Sequence, residues 1–112
     1  MRSGTTLVLA VVSAVLCLGV GCGEREPKLS AKAAEGKAAF KLRGCPNCHQ
    51  VFGRGKRKGP PLTGPNVRSR DRQWYLDFLT NPRSRVPGAK MPRPLITPTE
   101  KERITDYLLE IR

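Results

Sequence analysis

The chain has 112 residues, room for one domain and no more, and a formal net charge of +12 from 21 Lys and Arg against nine Asp and Glu. At this size only about 60 to 65% of the unfolded surface is buried on folding, and one Trp, two Tyr and three Phe supply little large apolar bulk for a self-sufficient core. The charge excludes an acidic surface and leaves three kinds of counterpart, nucleic acid, anionic lipid and acidic protein faces, beside a plain role in solubility.

Met1 and Arg2 are followed, after a few small polar residues, by Leu7 to Val20, 14 apolar or small residues without a charge. That is the length of a signal-peptide core and short of the ~20 residues a membrane-spanning helix needs. Residues 1–21 therefore read as an export signal of lipoprotein type. Gly19-Val20-Gly21-Cys22 resembles the end of a bacterial lipoprotein signal, where a small residue precedes a cysteine that takes lipid, although Gly19 stands where Leu is usual. Lipidation of Cys22 is the expectation; plain cleavage nearby and an uncleaved anchor are the alternatives. Residues 22–29 form a tether, since Gly23 to Leu29 are polar and without apolar periodicity. Extended, seven such residues reach about 25 Å at most. The protein is expected on the periplasmic side of a bacterial membrane, lipid-anchored or else soluble.

The domain proper is residues 30–112. Ser30 can cap a helix that Ala31, Ala33, Ala34, Ala38 and Ala39 favour and Gly44 can end. Gly36 and Phe40 share a face of it. A glycine inside a helix costs about 0.5 to 1 kcal/mol relative to alanine, so Gly36 marks the close approach of another element, expected to be the last helix.

Cys45-Pro46-Asn47-Cys48-His49 follows at once. In a C-x-x-C-H run the two thiols become thioether links to a haem and the histidine takes an axial position on its iron. Two intervening residues bring both sulfurs to neighbouring edge positions of one macrocycle, and the adjacent imidazole projects over the metal. A disulfide or a dithiol redox pair is the bland alternative. Zinc is disfavoured, because a structural site wants four protein ligands and beyond Cys45, Cys48 and His49 the exported chain offers only Cys22, far off at the tether. His49 is the single histidine.

Gly53 to Gly59 carries Arg54, Lys56, Arg57 and Lys58 and reads as a flexible basic loop at the haem edge; it lacks the pattern of a phosphate loop. Gly59-Pro60-Pro61-Leu62 is stiff, with carbonyls free to accept. A ligating histidine normally donates its other ring N–H to such an acceptor. A second helix is predicted from about Ser69 or Asp71 to Leu79, with Trp74 and Phe78, and Tyr75 and Leu79, as four-apart pairs, stopped by Thr80-Asn81-Pro82. The stretch from Arg83 to Leu95, with Pro87, Pro92 and Pro94, reads as too stiff for helix or central strand. Met91 stands in it, flanked by Lys90 and Pro92, an odd place for the gap-filling role methionine usually has. Beside a haem with one histidine, Met91 is the natural sixth ligand, a pairing that raises the reduction potential. Thr97-Pro98-Thr99-Glu100 is a capping box with Pro at the first helical position, and Ile104, Tyr107, Leu108 and Ile111 continue as one apolar stripe.

From Ser30 to Arg112 the chain resembles the class I monohaem cytochromes c. The resemblance rests on the helix bearing Gly36 and Phe40, the run Cys45 to His49, Gly59-Pro60-Pro61-Leu62, Asn81-Pro82 ahead of Met91, and the last apolar stripe. It implies an all-α fold of three to four helices around one covalently attached haem c, with the first and last helices crossing and one haem edge exposed. It further implies that Cys45 and Cys48 form the thioethers, that His49 and Met91 are the axial iron ligands, that the Pro60 carbonyl receives the His49 ring proton, and that Phe78 walls the Met91 side. Departures are Pro61 where Asn is usual, Ala89 where Thr is common and Arg93 where Phe often lies; Trp74 is off the place of the family tryptophan that bonds a propionate.

The function so implied is one-electron transfer in a respiratory or related chain, without catalytic residues and not enzymatic. A haem enzyme, ligand-binding or sensor domain with a labile sixth site is the alternative, and a non-haem module using its basic face is a third. The partners expected are redox proteins with acidic docking faces and, through lipid on Cys22, a membrane; no nucleic acid is expected, and the chain is expected to be a monomer.

Overall fold

The computed structural model describes residues 25–112; the expected export signal and the expected lipid site at Cys22 lie outside the described residues. These residues form α1 (Ala31–Leu42), α2 (Pro65–Arg68), α3 (Arg72–Thr80), α4 (Pro82–Arg85) and α5 (Pro98–Glu110), with a 3-10 turn at Cys45–Asn47 between the first two. Among them there is no strand beyond an isolated bridge between Val51 and Arg54. The all-α expectation holds, with three long helices and three single turns.

Local chemistry sets where the long helices begin. The Ser30 hydroxyl accepts from Ala33 N at 3.2 Å and caps α1. Asp71, rather than Ser69, caps α3 by accepting from Trp74 N at 2.7 Å. At α5 the capping box closes in both directions: Thr97 Oγ1 accepts from Glu100 N at 3.2 Å, and a Glu100 carboxylate oxygen accepts from Thr97 N at 2.8 Å.

One expectation is corrected. The stretch that begins at Arg83 was expected to exclude helix, yet Pro82–Arg85 closes a helical turn, with Val86 N donating to Pro82 O at 3.0 Å. Proline at the first helical position loses no bond, because its missing N–H has no intrahelical partner there, and its fixed φ starts the turn. Pro65, at the start of α2, does the same.

The crossing of α1 and α5 organises the core. A Cβ placed on Gly36 would lie 1.8 Å from the carbonyl oxygen of Arg103 and 2.9 Å from Tyr107 Cβ, so no other residue fits. One turn on, Phe40 meets Tyr107 edge to face, centroids 5.4 Å apart at 63°. Ala33, Val51, Tyr75, Leu79, Ile104, Leu108 and Ile111 complete the buried cluster. Around it run ion pairs from Arg72 to Glu102 and Asp106 and from Arg43 to Glu100, exposed enough to contribute little singly. The segment before α1 is also engaged: Glu26 pairs with Lys37 and accepts from the Tyr107 hydroxyl at 3.3 Å, and Leu29 packs on the core. No helix of the described residues is long and apolar enough to cross a membrane.

Candidate functional site

Directly after α1 the chain tightens into the 3-10 turn. Asn47 N donates to Gly44 O at 2.9 Å, and Cys48 N and His49 N both donate to Cys45 O, at 3.1 and 3.0 Å. The turn gathers Cys45, Cys48 and His49 around one carbonyl. Both cysteines are free thiols rather than a disulfide, Cys45 half-buried and Cys48 exposed. Burial is the main cause that pushes the Cys45 thiol above its ordinary value, with the neighbouring Cys48 adding to it.

His49 is buried, with 9% of its surface exposed. Its Nδ1 is 2.8 Å from the Pro60 carbonyl oxygen. With the proton on Nδ1 the ring donates to Pro60, and Nε2 keeps a bare lone pair aimed away from that contact. The strand of loop that carries Pro60 is itself held, since Gly59 N donates to Cys48 O at 2.7 Å and Leu62 N to Gln50 O at 2.8 Å. A Cβ on Gly59 would stand 2.6 Å from His49 Cε1, so the ring and the loop are fitted to one another with no side chain between.

Met91 is half-buried, packed on the same core as Cys45, Leu62 and Ile96, and lies close to His49. The apolar side chains of Val86 and Leu95, before and after it, are exposed at 38% and 87%. Phe78 is half-buried on α3, its ring stacked on Trp74 at 4.8 Å and 10°.

The basic loop differs from its sequence reading in one respect. Arg54, Lys56, Arg57 and Lys58 are exposed, but the backbone beneath them is pinned rather than flexible. Val51 and Arg54 exchange backbone bonds at 2.9 and 3.0 Å, and Lys56 N donates to Pro46 O at 2.9 Å. Gln50 is the hub that sequence reasoning missed: its amide donates to the Gly53 and Gly55 carbonyls at 3.4 and 3.3 Å and accepts from Arg57 Nε at 3.1 Å. A lone glutamine after the motif carries no pattern that would reveal this.

The donor set decides what such a site holds. Among the described residues no three His, Cys, Asp or Glu side chains gather as a cage for a bare ion. Two unpaired thiols, an imidazole with a free nitrogen, a thioether close by and apolar surface on both sides of it fit one flat, apolar, iron-bearing macrocycle joined through sulfur. An all-helical domain with that set defines the class: a small monohaem protein.

Comparison with known proteins agrees. The family model for cytochrome c matches residues 33–112. A cytochrome c of Kluyveromyces lactis is 43% identical over 51 residues, which cover 41% of this chain and 46% of the yeast protein. The chain thus spans about half the length of the curated relative it matches. No solved structure matches it. The chain belongs to the cytochrome c family. That family binds one covalent c-type haem, and its members carry electrons rather than catalyse reactions.

Proposed function

We propose that this protein is a one-electron carrier of a respiratory or related chain, with Cys45 and Cys48 as the thioether links and His49 and Met91 as the axial ligands. The observation that carries the reading is the contact of His49 Nδ1 with the Pro60 carbonyl at 2.8 Å, which leaves Nε2 for iron, with Met91 near enough to serve on the other side. The haem, when bound, supplies a Fe(III)/Fe(II) couple. The chain's part is to keep that couple closed and stiff. Pro60 fixes the tautomer and angle of His49, and Met91 comes from a stretch that Pro87, Pro92 and Pro94 hold in shape. With His49 and Met91 both holding the iron, the bound group would have no place for oxygen or peroxide and would pass an electron with little rearrangement of the chain. A pyridine test on the purified protein checks this: covalent haem is expected in the wild type and lost with Cys45→Ala and Cys48→Ala together, whereas extractable haem in the wild type contradicts it.

The reading extends to placement. The uncharged run Leu7 to Val20 ending at Cys22 supports export as a bacterial lipoprotein, held on the periplasmic side by lipid on Cys22. Partition of the exported protein into detergent, abolished by Cys22→Ser, is the expected result; equal partition of both proteins rules the anchor out. The exposed cations of the pinned loop, with Lys90 and Arg93 beside Met91, support redox partners that present acidic faces.

A further inference from the structure

The segment ahead of α1 has the polar composition of a free tether, yet it is fastened to the domain at Glu26, Leu29 and Ser30 in succession. One Glu26 carboxylate oxygen pairs with Lys37 of α1, and the other accepts from the hydroxyl of Tyr107 of α5 at 3.3 Å. Leu29 packs on the core. Ser30 donates to the Glu110 carboxylate from its backbone N at 2.9 Å and from its hydroxyl. The match to the cytochrome c family begins at residue 33, so this fastening lies ahead of it.

Glu26 is the outermost of these points. Its side chain is 23% exposed and that of Lys37 31%, so the pair is withdrawn from water further than an ordinary surface pair and carries a hydroxyl as third member. It ties α1 to α5 beside the crossing, where Phe40 and Tyr107 meet. The free length between Cys22 and the domain is then residues 23–25 rather than 23–29. Extended, that is about 11 Å in place of about 25 Å. The groove beside Glu26 is lined by exposed Arg25, Lys41 and Arg54, a surface that suits lipid headgroups and is too charged to enter hydrocarbon.

We propose that residues 26–29 are a strap that sets how the domain faces its membrane. With Glu26 latched, the surface of Arg25, Lys41 and Arg54 is turned to the headgroups around the anchor. With Glu26 released, the domain gains about 14 Å of reach and loses that orientation. The orientation rests on the reading of Cys22 as the lipid site; the strap itself does not.

Two measurements on the holoprotein, wild type and Glu26→Ala, test the two parts. In detergent, trypsin is added and cleavage after Lys28 is timed by mass spectrometry. Lys28 is exposed but lies between held residues, so cutting waits for the strap to open. Loss of a charge-assisted bond enlarges the opened population roughly tenfold or more, and Glu26→Ala is expected to be cut after Lys28 faster by that factor, with the Gly53 to Gly59 loop cut at the wild-type rate. Equal rates after Lys28 overturn the strap. Should Glu26→Ala loosen the whole domain and speed cutting of the loop as well, Glu26→Gln, which loses the charge and keeps an acceptor for Tyr107, repeats the comparison. In the second measurement the reduced protein is anchored in phosphatidylcholine nanodiscs that carry a gadolinium-chelating lipid, and broadening of backbone amide resonances is read. Lys41 and Arg54 are expected to broaden strongly and Gln73 weakly, since α3 meets α5 through Glu102 and Asp106, on a different face from Tyr107. The contrast is expected to vanish in Glu26→Ala. Equal broadening in the wild type, or a contrast that survives Glu26→Ala, overturns the orientation. A protein that stays out of the nanodiscs fails the lipid-anchor reading and the orientation with it, while the trypsin rates still decide the strap.

Discussion

Thr105 has no exposed surface, and its hydroxyl has no hydrogen-bond partner among the described residues. A buried donor left unmade costs about 1 to 3 kcal/mol, so Thr105→Val, of the same shape without the hydroxyl, is expected to raise stability by about 1 kcal/mol. A denaturant midpoint that stays put or falls would show that the hydroxyl has a partner after all. Met91 bears on function instead. Replacing its thioether by Met91→Ala is expected to lower the reduction potential and to abolish the low-spin ferric spectrum, because thioether ligation opposite histidine favours Fe(II); an unchanged potential would mean that another side chain serves. Cys45, Cys48 and His49 were legible in the sequence because covalent attachment fixes both residue type and spacing. The role of Gln50, and the close fit of Gly59 against the His49 ring, were not. Their contribution is a set of backbone and amide contacts that arises only once the loop has folded back onto the motif.

At the level of elements, the α1/α5 crossing was open to reading because each helix carries its own periodicity: Gly36 and Phe40 on one, Ile104, Tyr107, Leu108 and Ile111 on the other. The single turns α2 and α4 were hidden because four residues have no period to detect, leaving proline at the first position as the sole sign. Contacts between and within the helices set the pH range of stability. Bonds from Thr97 N and Arg43 hold Glu100 below the usual carboxylate range, and Arg85 and Gln73 do the same for Asp77. Both carboxyls bind a proton less readily folded than unfolded, so the stability they contribute is present above the unfolded values of about 4 and is lost as pH falls through the folded ones. Tyr107 acts at the other end. Burial, then the nearby Glu26, raises its phenol, which stays neutral in the folded chain where the unfolded chain ionises. Its contribution is full below about pH 10 and is lost as pH rises further. Denaturation midpoints measured across pH are expected to fall on both flanks, with Tyr107→Phe flattening the alkaline one; an alkaline flank that survives Tyr107→Phe assigns it elsewhere.

Over the whole molecule, charge decides rates rather than fold. Arg54, Lys56 and Lys58 are carried on a backbone that the bonds to Pro46 and Gln50 hold still, so the positive patch keeps its shape when a partner approaches. Steering by such a patch is screened over about 10 Å at 0.1 M salt, and electron transfer to an acidic partner is expected to slow steeply as salt rises. A rate indifferent to salt would assign docking to apolar contacts, for which Val86 and Leu95 are placed. The loop's basic composition was plain in the sequence, but its rigidity was not, since the seven glycine and charged residues from Gly53 to Gly59 look mobile until their backbone partners are known.

The central claim is a haem closed on both sides by His49 and Met91, and carbon monoxide added to the reduced protein tests it most directly. The absorption spectrum is expected to stay unchanged, with Met91→Ala binding the gas readily. Rapid binding by the wild type would show an open sixth position and contradict the electron-carrier account.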